Sequence, residues 1–286
     1  MVNYEPLNER YISNLHRDRE ALFYLYNRGF FLNTIKKYEL GLATSTKHEI
    51  SSKAVEQAGL IYQKENGSAG AVFNNRIMIP IRNLDGVICG YTGRTLLNYD
   101  NIAKYKNSKE SHFFNKSSLL YNLHSIGNND SVILFEGHLN VLAFDQTIQG
   151  EFGKFPHPIA KGGTALTPQH VQALKAKGVK SVFICNDGDK AGRKATLKDI
   201  KLLKDDFLVW VVTMPKSKDI ADFINNYGEV ERLVFFESVL HDEYVRRLAY
   251  RYKTVKRHRI KYGLKTNDAL YLEEMKNLYE ILGVKI

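Results

Sequence analysis

The sequence predicts an α/β protein with helices packed on a parallel sheet, preceded by a mixed α+β region and followed by a helical tail. Three observations carry that prediction. "SVILF" (131–135), "SVFIC" (181–185) and "FLVWVV" (207–212) are short unbroken apolar runs. Such runs are what a strand buried on both faces of a parallel sheet shows. Helical patterns separate and follow them, and alternating strands and helices of these lengths imply crossover units. Upstream, "RIMIPI" and "GVICGYTG" flank "RNLDG", where Asp85-Gly86 marks a hairpin, which predicts an antiparallel piece before the parallel sheet.

Taken in order, the first seventy residues read as helical. "DREALFYLYNRGF" has helical apolar spacing and stops at Arg28-Gly29, and "LNTIKKYELGLA" reads as a second helix stopped near Gly41. "SSKAVEQAGLI" is a short third helix, and polar, Gly-rich "QKENGSAGA" (63–71) is the best linker candidate. The stretch 95–118 reads as basic and irregular. Beyond "SVILF", "HLNVLAFDQ" reads as a helix. "TPQHVQALKAKG" is a helix with Thr167 as cap, Pro168 at its first position and Gly178 at its end. Lys190 to Lys204 and "DIADFINNYG" are further helices, and 229–286 is helical and basic in its middle. These patterns divide the chain at 1–125, 126–228 and 229–286.

The composition narrows the function classes. The chain has 286 residues and a formal charge of +10, with 44% hydrophobic and 25% charged residues. That is globular composition, and the basic balance suggests a polyanionic partner. No apolar stretch approaches bilayer length and the N-terminus is polar, so neither a membrane span nor a signal peptide is expected. Cys89 and Cys185 show no C-x-x-C spacing, which excludes a zinc ribbon and a disulfide framework. Both sit in apolar runs, in keeping with a reducing cytoplasm.

The chemistry is expected where the buried strands end. Glu136-Gly137 follows the first, Asn186-Asp187-Gly188-Asp189 the second, and Asp219 comes after a loop beyond the third. In open parallel sheets ligands bind beyond the carboxyl ends of the strands. Asp and Gly are also ordinary turn and helix-start residues, so Asp187 and Asp189 alone would read as a turn. Carboxylates from all three strand ends favour a site: crowded carboxylates repel, and a divalent cation relieves the repulsion. An all-oxygen set suits Mg²⁺ or Mn²⁺ rather than zinc. Two such ions about 4 Å apart suit phosphoryl transfer.

Basic residues supply the counterpart: Arg76, Arg82, Arg94, Lys104, Lys106 and Lys116. Arg94 follows a glycine turn, and "AKYKNS" interleaves lysine with Tyr105, as a strand of stacked nucleotides would want. Arg82 reads equally as a solvated charge. Gly162, Gly163 and Thr164 lead into a helix N-terminus, either an anion cradle or an ordinary capped loop. His138 reads as a helix-start residue rather than a ligand. No Walker-type loop and no Ser/His/Asp set is present.

Together these segments resemble the RNA-polymerase core of DnaG-type bacterial and phage primases. "EGHLNV" resembles the first motif of the family's TOPRIM fold, Glu-Gly-Tyr-Met-Asp-Val, and "NDGDKAGRKA" its Asp-Gly-Asp-x-Ala-Gly motif. "KSKDIADF", "NNRIMIPIRNLDGVICGYTGRTL", "AKYKNSKESHFFNKSSLLYNL", "ALFYLYNRGF", "YELGLA" and "KGGTALT" follow the family's other segments in order, over about 20–227. The resemblance implies a TOPRIM domain over 126–228 after a basic α+β subdomain. It implies a general-base or metal-organising Glu136, metal ligands Asp187 and Asp189, and a supporting Asp219. It places Arg94, Lys104, Asn107 and Lys116 at template and nucleotide positions. The implied activity is primer synthesis: short RNAs made on a single-stranded DNA template from ribonucleoside triphosphates, with two Mg²⁺ or Mn²⁺ ions. The implied location is a bacterial or phage-infected cytoplasm, with a replicative helicase as possible partner of the tail. The sequence departs from the family at Asn140, Ala221 (with Asp222 beside it) and Asn74, and it lacks the cysteines of the family's zinc-binding domain. A TOPRIM nuclease and a non-catalytic DNA- or helicase-binding module are the competing readings.

Overall fold

Asp18 divides the first helical stretch in two. The computed structural model describes residues 3–44, 60–63, 65–67, 69–97, 102–111, 114–148, 155–163, 165–212 and 238–240. Within these, helix α1 is Glu5–Arg17 and α2 is Arg19–Asn27, and the Asp18 carboxylate caps α2 by accepting from Ala21 N at 2.9 Å. Helix α3 (Leu32–Lys37) ends before Gly41, and strand β1 (Gly41–Ala43) follows. The helix that the sequence stops near Gly41 ends at Lys37, and Gly41 instead packs against the Tyr11 backbone, where a Cβ would meet Tyr11 at 2.4 Å.

The proposed linker at 63–71 is a hairpin instead. Strands β2 (Ile61–Gln63) and β3 (Ala69–Ala71) pair antiparallel. Strand β4 (Arg76–Arg82) and β5 (Ile88–Thr95) form the expected hairpin, with Gly86 at φ +82° in its turn. Strand β1 lies on the outer side of β4, and β6 (Tyr105–Asn107) lies beside β5. Part of the stretch read as irregular is therefore the fourth strand of this sheet.

The second sheet is the predicted parallel one. Strands β7 (Ser131–Phe135), β9 (Ser181–Cys185) and β10 (Leu208–Val212) are the three apolar runs. A strand that the sequence reading missed, β8 (His157–Ala160), pairs parallel with β7 at the sheet edge. Pro156 and Pro158 hid it, because proline belongs on edge strands where a ladder N–H can be spared. The order is β8-β7-β9-β10, with β11 (Ser238–Leu240) antiparallel beyond β10, which corrects the helical reading of 229–286 at these residues, where pairing with the β10 edge wins over helical pattern.

Side chains of β7 alternate between two cores, as a pleated strand requires. Ile133 and Phe135 join a buried cluster with Leu142 and Phe144 of helix α4 (His138–Thr147) and with Leu25, Ile35 and Ile79 of the N-terminal region. Val132 and Leu134 face the other cluster, with Leu174 of α5 (Pro168–Ala176) and Ile200 and Leu203 of α6 (Lys190–Leu203). Helices thus cover both faces. The first core is shared by the two regions, so burial fixes them against each other. Each fully buried aliphatic side chain contributes about 1.5–3 kcal/mol.

Polar contacts set the register of that junction. Gln146 of α4 accepts from Phe31 N and Thr34 Oγ1 at 2.8 and 2.7 Å and donates to Gly29 O at 2.8 Å, while Lys37 pairs with Asp145 at 2.5 Å. Thr167 caps α5 as predicted, accepting from His170 N, and its hydroxyl also donates to Ser117 O at 2.5 Å. Thr167→Ala removes both contacts. Its expected cost is about 1–2 kcal/mol, read as a lower midpoint in urea unfolding.

The helix expected over 51–61 lies almost wholly outside the described residues, as do "DIADFINNYG", Asp219, Thr164 and the basic tail. Among the described residues no helix is long and apolar enough to cross a membrane.

Candidate active site at the carboxyl ends of the parallel strands

Strands β7 and β9 are neighbours in register, with Phe135 opposite Cys185. The residues that leave them, Glu136 and Asn186-Asp187, therefore emerge side by side. Asp187 N donates to Glu136 Oε1 at 3.4 Å. Burial pushes the Glu136 pKa above the usual carboxylate range. The Lys161 ammonium and the Asp187 N–H oppose that shift, and Asp189 and Asp199 reinforce it. The rim is thus an acidic pocket in which the Glu136 anion is under-compensated.

Asp189 has a second task. It is the N-cap of α6, with Oδ1 accepting from Gly192 N at 2.7 Å. The turn reading and the site reading thus meet in one residue. Among the described residues, no three His, Cys, Asp or Glu side chains stand close enough to hold one ion. Magnesium is commonly held by only one or two carboxylates plus substrate phosphates. Glu136 beside Asp187, an all-oxygen pair in a strained electrostatic setting, suits that requirement.

Below the rim lies a buried cluster that the sequence did not single out. Lys161, from the loop after β8, donates to Asn186 Oδ1 at 2.8 Å and to Asp199 Oδ2 of α6 at 2.7 Å. Asn186 Nδ2 donates to Thr196 Oγ1 at 3.1 Å and to Asp199 Oδ2 at 3.0 Å. The Lys161 and Asp199 side chains are 2% and 3% exposed. No spacing rule joins residues this far apart in sequence, so only the fold reveals them. Lys161 does stand at the head of the Gly-Gly loop that the sequence reading singled out.

That loop is also at the rim. Gly162 and Gly163 have φ of +69° and +77°, and Gly163 N donates to Glu136 O at 3.0 Å. Gly162 lies on the His138 ring, which packs edge-on to Tyr121 and whose pKa burial pushes down to about 4. His138 is thus a neutral buried residue at the start of α4, as its position suggested.

The basic residues divide into two groups. Asn107 and Lys116 line a narrow crevice of about 20 Å³ together with Thr92, His138, Lys161 and Gly162, which brings the first sheet to the acidic rim. Thr92 donates to Asn107 Oδ1 at 2.6 Å, and His170 Nε2 donates to the Lys116 carbonyl at 2.9 Å, so both are anchored. Lys104 is exposed beside β6. The arginines are differently engaged. Arg76 is buried and donates to Gly93 O and Ala103 O. Arg94 is buried, donates to the Tyr24 and Tyr105 hydroxyls at 2.5 and 2.6 Å, and stacks on Tyr105. Arg82 lies at the far end of β4, paired with Glu5 at 3.0 Å and Glu39 at 2.5 Å. Two carboxylates hold Arg82, so it is not the solvated charge that the sequence allowed.

Comparison with known proteins places the chain in a family. Residues 10–127 match the family described as DNA primase catalytic core, N-terminal domain, and residues 133–224 match the Toprim-like family. The chain belongs to the DnaG-type primase family. It is 36% identical over 233 residues to the DNA primase of Staphylococcus epidermidis, covering 76% of this chain and 38% of the relative. It is 36% identical over 241 residues to that of Helicobacter pylori, covering 80% of this chain and 41% of the relative. The primase core here therefore spans about two fifths of the length of these relatives. Among solved structures it resembles the zinc-binding and RNA-polymerase domains of Aquifex aeolicus primase, with a TM-score of 0.77 at 27% identity, covering 99% of this chain and 74% of that one. It also resembles a DNA primase domain from Pseudomonas aeruginosa, with a TM-score of 0.74 at 26% identity, covering 99% and 96%. A DnaG catalytic domain solved bound to ssDNA aligns with a TM-score of 0.71 at 25% identity, covering 82% and 80%.

Proposed function

We propose that this chain is the catalytic core of a DNA primase, joining ribonucleoside triphosphates into short RNA primers on single-stranded DNA. The observation that carries the proposal is the meeting of Glu136 and Asp187 at the ends of adjacent parallel strands, in a chain of the primase family. Glu136, Asp187 and Asp189, with Asp219, hold Mg²⁺ or Mn²⁺. Two such ions would supply Lewis-acid stabilisation to the attacking and leaving oxygens of phosphoryl transfer. Glu136, whose proton affinity burial has raised, is suited to take up a proton at the rim or to anchor a cation there.

The residues of the first sheet bind and orient. Asn107 and Lys116 in the crevice, with exposed Lys104, contact the nucleotide phosphates and the template strand. Arg94, Arg76 and Arg82 act differently in this proposal. Arg76 and Arg94 brace strands β5 and β6 from within, and Arg82 braces the far end of that sheet. Gly162 and Gly163 close the rim from the β8 side, and Thr164 is the next residue of that anion-cradle candidate in sequence. The tail is the segment through which a helicase would be engaged.

The test is incubation with single-stranded templates, labelled ribonucleotides and Mg²⁺ or Mn²⁺. New oligoribonucleotides that depend on template are the expected result. Shortened template would replace this reading with a nuclease, and binding without product would replace it with a non-catalytic module.

A further inference from the structure

The buried Lys161–Asp199 pair needs a reason to exist. A salt bridge taken out of water gains little net stability, and apolar residues of similar size often serve as well or better. Lys161 does not reach for substrate, because its ammonium is buried and already donates to Asn186 and Asp199. What the pair does is geometric. Lys161 holds the oxygen end of the Asn186 amide, while Asp199 and Thr196 hold its nitrogen end. Both ends of that side chain are therefore fixed, one residue before Asp187.

The far side of the same turn is fixed as well. Asp189 caps Gly192, Arg193 Nη1 donates to Gly188 O at 2.9 Å, and Gly192 lies directly on the Asp187 backbone. Residues 186–189 are thus stapled to α6 at both ends, and Lys161 ties the staple to the loop after β8. We propose that Lys161 and Asp199 are positioning residues, a charge-neutral buried clamp that locks Asn186 and so aims Asp187 at the cation site shared with Glu136. The inference rests on the reading that Glu136 and Asp187 hold a divalent cation. The charges of the clamp cancel, so its effect on a bound cation comes through geometry rather than field.

The experiment is Mn²⁺ titration of the full chain, following free Mn²⁺ by electron paramagnetic resonance beside thermal unfolding. The variants are Lys161→Met/Asp199→Asn, Asn186→Ala and Glu136→Gln. Glu136→Gln should abolish the tight site. The double variant and Asn186→Ala should still unfold cooperatively, yet bind Mn²⁺ about tenfold more weakly, as loss of an orienting outer-shell partner does. In primer synthesis they should lower kcat more than they raise KM for ribonucleotides. Wild-type Mn²⁺ affinity in a folded double variant and a folded Asn186→Ala would overturn the clamp while leaving the metal site standing. If the double variant does not fold, Asn186→Ala, which keeps the ion pair, decides. Failure of both to fold would make the cluster structural and sink the proposal. Equal binding by wild type and Glu136→Gln would remove the metal site itself, and the clamp with it.

Discussion

Asp187→Asn should cut primer synthesis by about a thousandfold or more while the protein stays folded. The substitution keeps shape and removes the carboxylate of the residue whose backbone N–H reaches Glu136 at the rim. Losing several kcal/mol of charge stabilisation at a phosphoryl-transfer site is a loss of that order, since each 1.36 kcal/mol is tenfold in rate. Glu136→Gln should be as damaging to activity and differ in stability. Burial holds the Glu136 pKa above its free value, so the folded state binds the proton more tightly than the unfolded chain does. Ionising it therefore costs the fold stability as pH rises through the window between the free and the raised value, and the cost persists at neutral pH. Glutamine removes that cost. Thermal unfolding at neutral pH without added metal should show Glu136→Gln melting at or above the wild-type temperature. An activity within tenfold of wild type for either variant would show that the carboxylates are not the reactive centre.

Gly192→Ala should be the most damaging single methyl group in the parallel-sheet domain. Gly192 sits in the first turn of α6, where helix propensity alone would favour alanine by about 1 kcal/mol. Packing decides otherwise. A Cβ there would lie 2.1 Å from Asp187 O, 2.8 Å from its carbonyl carbon and 2.9 Å from its nitrogen. These are backbone atoms, so no rotamer relieves the overlap. Either α6 moves away from the sheet or the Asp187 turn moves from Glu136. The expected cost is about 3 kcal/mol, at the upper end of overpacking, together with loss of activity. Chemical denaturation and the priming assay measure the two effects. A variant as stable and as active as wild type would mean that α6 is not seated on the Asp187 turn.

Much of this was legible because the parallel strands are unbroken apolar runs with acidic residues at their ends. "SVILF", "SVFIC" and "FLVWVV" announce their burial, and Glu136 and Asp187 follow two of them within two residues. The N-terminal region was harder. Strands β1, β2, β3 and β6 are each three residues long, too short to display a period, so they read as helix end, linker and loop. Strand β8 was masked by Pro156 and Pro158. At the site, charge was visible and engagement was not. Arg76 and Arg94 read as phosphate contacts, yet carbonyls and tyrosine hydroxyls from distant segments hold them. Lys161 read as one more basic residue before a glycine loop, because its partner Asp199 lies on a helix whose approach only the tertiary fold sets.

The central claim is that the rim formed by Glu136 and Asp187 holds the divalent cation on which primer synthesis depends. Crystals of the chain soaked in Mn²⁺ and measured at a wavelength where manganese scatters anomalously test it directly. The account predicts an anomalous peak within about 2–2.5 Å of carboxylate oxygens of both Glu136 and Asp187, absent in Glu136→Gln. Peaks confined to other parts of the surface, with the rim empty at saturating Mn²⁺, would contradict it.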